Sequence, residues 1–222
     1  MTTKSIYFID PAVNDYQSLL TQLPADSEWY LLDKSLDGIA QMADVVSRYQ
    51  DLDAIQIISH GSPGTLYLGS SVLNNANLAH YSAQLAAIGS SLTANGDILI
   101  YGCDVAASAE GQQFVNNLAA VTSADVAASA DISGALSVGG NAALEVQSGP
   151  IKSTVLSLDG LGAPLAVSYA MSASYPSVNE GNAITFRAAT TGVAAGTQLS
   201  YALSGAGITA ADIVGGQLGG NA

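Results

Sequence analysis

Short apolar runs alternate with stretches of helical spacing through the first two thirds of the chain, and this alternation constrains the fold most. SIYFI (5–9), EWYLL (28–32), AIQIIS (54–59), DILIY (97–101) and ADVAA (124–128) are brief and nearly continuous in apolar residues. Strands of that kind belong to a sheet covered on both faces. Between them lie helix-spaced sets: Tyr16, Leu19, Leu20 and Leu23; Ile39, Met42, Val45, Val46 and Tyr49; Leu78, Tyr81, Leu85 and Ile88; Phe114, Val115 and Leu118. Asn14 stands where a cap for the first helix is expected, and Asp37 precedes the second helical pattern. Strands alternating with helices imply βαβ units and a mainly parallel sheet. GTLYLG (64–69), bracketed by glycine, reads as a hairpin arm, and 132–146 as peripheral β-structure.

Near Gly149 the pattern breaks. SGPIKSTVLSLDGLGAPL has two prolines, several glycines and little periodicity, which reads as a linker over 149–164. Residues 165–222 then alternate strand-like runs with Gly and Asn turns, giving about four strands of an incomplete all-β segment. The expected organisation is an α/β domain over 1–148, the linker, and a partial β-sandwich repeat over 165–222.

Two residues carry the chemical signal. His60 follows AIQIIS and precedes Gly61; Cys103, the single cysteine, follows DILIYG. In an open α/β sheet the C-terminal ends of neighbouring parallel strands meet at one crevice, where ligands and chemistry collect. A thiol and an imidazole delivered there are the minimal parts of a nucleophile with its base. The flanking Gly61 and Gly102 let backbone approach closely. The N–H groups of Gly61 and Cys103 are then candidate oxyanion-hole donors. A lone cysteine is most often a small buried hydrophobe, and only its joint placement with His60 at consecutive strand ends leaves both readings open. Asp104 is expected to cap the next helix turn, because a carboxylate facing the sulfur would oppose thiolate formation. Asp131 and Ser129 are candidate substrate-pocket residues, with a turn or cap role as the alternative for Asp131. His80, in NLAHYSAQL, reads as a solvated helix residue.

Charge excludes several partners. Net charge is −13, with only five basic residues: Lys4, Lys34, Arg48, Lys152 and Arg187. Phosphate recognition needs clustered cations, so neither nucleic acid nor an anionic membrane is an expected partner. No apolar stretch reaches the ~18 residues of a membrane span, and MTTKSIYFIDPAV lacks the form of a cleavable signal. No cofactor is expected. Calcium suits so acidic a chain, although no EF-hand or RTX-type ligand loop is visible.

ISHGSPGTLYLG, YGCDVAASAEGQQFVNNLA and VAASADISGA resemble an uncharacterised N-terminal domain of giant bacterial surface and secreted proteins that carry RTX or cadherin-like repeats. The resemblance covers about residues 4–148. That domain is in turn similar to the caspase-like clan of cysteine peptidases, a three-layer sandwich. The resemblance implies His60 as general base or acid, Cys103 as nucleophile and the Gly61 N–H in the oxyanion hole. GGNAALE departs from the family's GG-D-W-x-L-E pattern at Asn141 and Ala142. VNEGNAITFRAATTGVAAGTQLSYALSG resembles the Ig-like or Calx-β-like repeats of RTX adhesins, which implies the head of a longer repeat protein, secreted or surface-displayed by a type I route. The function these parts imply is a cysteine peptidase acting on a polypeptide, including its own linker, where Lys152, Leu156 and Leu158 are candidate cleavage positions. The inositol polyphosphate that activates related toxin domains needs a basic patch this chain lacks. The alternative is an inactive caspase-like structural or adhesive module. A flavodoxin-like cofactor binder is disfavoured, because Asp10-Pro11 follows the first strand in place of a glycine-rich loop.

Overall fold

The computed structural model describes residues 4–25, 27–175, 184–191, 200–202 and 219–221. Six strands form the main sheet in the order β2 (Glu28–Leu31), β1 (Ser5–Ile9), β3 (Leu52–Ile58), β7 (Leu92–Tyr101), β8 (Asp125–Ala128) and β9 (Val146–Gln147). All neighbours are parallel except β8 and β9. The α/β class and the mainly parallel sheet expected from the alternating pattern are therefore present. Between β3 and β7 lies a small antiparallel sheet of β4 (Gly61–Ser62), β5 (Thr65–Leu68) and β6 (Ser71–Asn74).

Side chains of the central strands alternate between two apolar clusters, as the two-residue strand period requires. Ile6, Phe8, Ile55, Ile57, Ile98 and Ile100 point to one face. There they meet α2 (Gly38–Val46), α3 (Ser82–Ser90) and α4 (Ser108–Thr122) through Ile39, Met42, Leu85, Ile88, Phe114 and Leu118. Asp37 caps α2 by accepting from Ala40 N–H at 2.9 Å. Tyr7, Ile9, Ala54, Ile58, Leu99, Tyr101 and Ala127 point to the other face.

That second face is covered differently. Its helix, α1, spans only Tyr16–Leu20. Asp15, not Asn14, precedes it, in a left-handed conformation and with no side-chain cap, so the longer helix expected to reach Leu23 does not form. The rest of the cover is the extended segment 150–166. Leu156, Leu158, Leu161 and Leu165 are buried against the sheet. The stretch expected to be a linker is thus part of the second layer. Its backbone is fastened to the sheet by buried polar groups. Asp97 accepts from Lys152 N–H and Ser153 N–H at 2.9 and 2.8 Å. Gln56 donates to the Thr154 carbonyl at 3.2 Å, and the Tyr101 hydroxyl accepts from Leu156 N–H at 2.7 Å while donating to Gln56 Oε1 at 2.9 Å.

Beyond this strap of residues 150–166, β10 (Ser168–Ala173) pairs antiparallel with β11 (Phe186–Thr191), and β12 (Ser200–Ala202) with β13 (Gly219–Asn221). The rest of the expected β-sandwich repeat lies outside the described residues.

Candidate active site

β3 and β7 run parallel with Ile58 paired to Tyr101. His60 and Cys103 therefore stand at corresponding positions beyond the C-terminal ends of adjacent strands. The two chain ends are packed tightly. A Cβ on Gly61 would collide with the Val105 side chain and sit 2.9 Å from the Cys103 carbonyl oxygen. Glycine fits there because the Cys103 loop approaches closely, a packing reason distinct from the approach to a substrate expected from the sequence.

His60 is buried, at 1% exposure. Its Nε2 lies 3.0 Å from the Ala12 carbonyl oxygen. A carbonyl only accepts, so Nε2 carries the proton, and in the neutral ring Nδ1 then presents a lone pair. Nδ1 has no hydrogen-bond partner. The Ala12 carbonyl is itself held by the turn after β1. Asp10, buried, accepts from Ala12 N–H at 2.8 Å and from Gly69 N–H at 2.6 Å. Burial raises the Asp10 carboxyl above its ordinary range, opposed by these backbone donors and by His60 nearby. In the sequence Asp10-Pro11 stands out only as the dipeptide that takes the place of a glycine-rich loop after the first strand. A carboxylate just past a buried strand was the available signal for more.

Cys103 is fully buried. Its sulfur accepts from Ser133 N–H at 3.2 Å and donates to the Ser133 carbonyl at 3.4 Å. Burial pushes the thiol up to about 11, against the opposing Ser133 hydrogen bond, and the charges of Asp104 and Asp131 push the same way. No hydrogen bond joins the His60 ring to the sulfur. The resting site thus holds a protonated thiol bonded to Ser133 and a His60 ring bonded to Ala12, at corresponding positions beyond adjacent strands.

The backbone donors converge. Gly61 N–H and Cys103 N–H both donate to the carbonyl oxygen of Leu165, each at 3.3 Å. Leu165 N–H donates to the Ser133 carbonyl at 2.9 Å, the same oxygen that receives the Cys103 thiol. Ala166 forms a parallel bridge with Gly61, and the Leu165 side chain is 1% exposed. The strap therefore ends with one peptide group laid across the Gly61–Cys103 backbone. Nothing in the local sequence of GAPLAV marks this contact.

Residues 6–163 match the family described as Domain of unknown function (DUF4347). The chain belongs to that family. The DUF4347 match takes in most of the strap and stops just before Pro164, so the family unit runs past the expected boundary at 148. No curated protein matches the chain. One solved structure, titled "Crystal structure of a small-chain dehydrogenase", is similar over 54% of this chain and 77% of that one, at 11% identity and a TM-score of 0.31. A likeness that low carries neither fold nor chemistry across.

The other expected positions divide. Ser129 is buried, and its hydroxyl donates to the Asp131 carbonyl at 3.1 Å and to Asp131 Oδ1 at 3.3 Å. Asp131 is exposed and also holds Asn141 through Oδ2 at 2.8 Å. Its carbonyl accepts from Asp104 N–H at 2.8 Å, so the Ser129–Asp131 turn supports the Cys103 loop. Asp104 does not cap α4, whose N-terminal flank, Ala107, makes no side-chain cap. Asp104 takes a left-handed conformation with φ 60°, and a turn of that kind carries the chain away from β7. His80 is exposed in a 3-10 turn over Leu78–Tyr81. Among the described residues no group of three or more His, Cys, Asp or Glu side chains could hold a metal, and no helix is long and apolar enough to cross a membrane. A surface cleft of about 480 Å³ lies at the opposite, N-terminal ends of β1 and β2, lined by Lys4, Tyr7, Glu28 and Gln56, well removed from Cys103 along the strands.

Proposed function

We propose that this domain is a cysteine peptidase of caspase-like type, held latent by its own strap and acting on polypeptide. The observation that carries the proposal is the convergence of Gly61 N–H and Cys103 N–H on one carbonyl oxygen. An oxyanion hole is a pair of fixed donors aimed at the oxygen of a carbonyl under attack. The donors were named from sequence position alone, and an amide carbonyl lies between them. At 3.3 Å each bond is longer than the roughly 2.7–3.1 Å suited to an oxyanion, so the contacts have room to strengthen as charge develops.

In this reading the Nδ1 lone pair of His60 takes the thiol proton, the sulfur attacks, and His60 returns the proton to the leaving amine. Ala12 and Asp10 are positioning groups that fix the ring through Nε2. The raised thiol is the resting form. Loosening the strap upstream of Leu165 rehydrates the sulfur and lowers the desolvation that raises it. The strongly acidic chain and its β-rich C-terminal part suit the head of a secreted or surface-displayed repeat protein.

The second reading is an inactive scaffold, favoured by the complete burial of Cys103 and its two acidic neighbours. Two measurements separate the readings. The full chain is incubated near neutral pH and compared with Cys103→Ala for self-cleavage. The thiol is also alkylated in the native chain and in His60→Ala. A peptidase gives a cut that Cys103→Ala abolishes and an alkylation rate that falls in His60→Ala. Equal processing in both chains retires the proposal.

A further inference from the structure

We infer that Leu165–Ala166 is the bond this site is built to cut, with leucine as the residue whose side chain fills its specificity pocket. The inference rests on the peptidase reading above and goes beyond it by fixing the substrate. Lys152, Leu156 and Leu158 were the positions open from the sequence, and the structure disfavours all three. The backbone from Lys152 to Leu156 is fastened to Asp97, Gln56 and Tyr101 on the sheet face, and Leu158 is buried in the apolar cluster with its carbonyl bonded to Leu161 N–H, so none of the three meets the converging donors.

Four contacts single out Leu165. Its carbonyl oxygen receives both Gly61 N–H and Cys103 N–H. Its own N–H donates to Ser133, whose carbonyl also receives the Cys103 thiol. Its side chain is 1% exposed, inside the apolar cluster that includes Cys103, Val13 and Leu161. The next residue, Ala166, runs parallel to Gly61 as an added strand would. Backbone pairing to fixed donors with one side chain in a pocket is how an extended peptide is recognised. The flanking Pro164 packs over Gly134, where an added Cβ would lie 3.1 Å from the proline Cα.

The reaction balances as a hydrolysis. The Cys103 sulfur bonds to the Leu165 carbonyl carbon as its proton passes to His60 Nδ1. The C–N bond to Ala166 breaks, and the proton goes to the Ala166 nitrogen, giving a thioester and a free amine. Water then adds its hydroxyl to the Leu165 carbonyl and its hydrogen to sulfur. The products are a chain ending at Leu165 and a chain beginning at Ala166. Cleavage therefore separates the α/β domain from the β-strands that follow and leaves the Leu165 side free to withdraw from the pocket.

The test uses the full 222-residue chain, incubated at pH 7–8 with and without calcium. Fragments are assigned by intact mass and N-terminal sequencing. The expected new N-terminus is Ala166, absent in Cys103→Ala. Leu165→Met should retain cutting, Leu165→Ala should slow it about 10- to 100-fold, and Leu165→Asp should slow it further, because a pocket shaped for an apolar side chain discriminates by size and strongly against charge. Circular dichroism of Leu165→Met and Leu165→Ala secures the comparison should Leu165→Asp not fold. A Cys103-dependent cut at any other bond overturns this assignment and leaves the peptidase reading intact. The absence of any Cys103-dependent cut overturns both.

Discussion

The amide nitrogen of Cys103 lies 3.3 Å from the carbonyl oxygen of Leu165, so the residue bearing the thiol also holds the end of the strap that covers it. The thiol and the Leu165 side chain also share one buried apolar cluster. In the native chain at pH 8 the raised thiol, about 11 against an ordinary 9.0, leaves the thiolate about 100-fold scarcer than in an unperturbed cysteine. Iodoacetamide should label the native chain at least about 100-fold more slowly than the urea-unfolded chain. Comparable rates in the two states would mean that the strap does not seal the sulfur in solution.

The same shift makes stability depend on alkaline pH. The folded thiol releases its proton at higher pH than the unfolded one, so between about 9 and 11 the native state holds more protons. Stability then falls as pH rises through that window, by about 2–3 kcal/mol for the full shift, and the contribution is fully present below 9. Cys103→Ala lacks the titration. Urea midpoints measured from pH 7 to 11 should fall more steeply in the wild type than in Cys103→Ala, and parallel curves would contradict the assignment.

Tyr101 supplies a lever on the strap that leaves the catalytic candidates untouched. Its buried hydroxyl accepts from Leu156 N–H and donates to Gln56 Oε1. Tyr101→Phe leaves both groups unpaired in the interior, at a cost of about 2–4 kcal/mol. By contrast Tyr81→Phe, which removes a half-buried hydroxyl bonded to Asp37 at 2.7 Å, should cost about 1 kcal/mol. Hydrogen exchange at Leu156 should quicken in Tyr101→Phe, and iodoacetamide labelling of Cys103 with it. Faster exchange without faster labelling would uncouple the strap from the site.

Much of the frame was legible because strand burial is written locally. SIYFI, AIQIIS and DILIY became β1, β3 and β7, and His60 and Cys103 came to matching positions because each follows its strand by the same short step. The strap was not legible. Its leucines lie at irregular spacing between glycines and prolines, and what fixes them is backbone bonded to Asp97, Gln56 and Tyr101 from distant strands. Leu165, Ser133 and Ala12 act in the site through their peptide groups. A peptide carbonyl has no residue type, so no pattern of side chains announces it.

Asp10 offers the last lever, on the ring of His60. Its two oxygens hold Ala12 N–H and Gly69 N–H, and Ala12 in turn fixes His60 Nε2. Asparagine keeps one acceptor and turns an N–H toward the other donor, so Asp10→Asn should lose about 1–3 kcal/mol. The sign of its pH dependence follows from the raised carboxyl. Above its ordinary 3.8 the folded state still holds the proton that the unfolded state has released, so wild-type stability from this group falls as pH rises through the raised value. The deficit of Asp10→Asn should therefore be largest in acid and shrink toward neutral pH. At neutral pH the nitrogen NMR shifts of His60 report the ring directly. The wild type should show a protonated Nε2 and a bare Nδ1, and Asp10→Asn a mixture of the two tautomers. A wild-type ring protonated on Nδ1 would remove the lone pair on which the proton transfer from Cys103 depends.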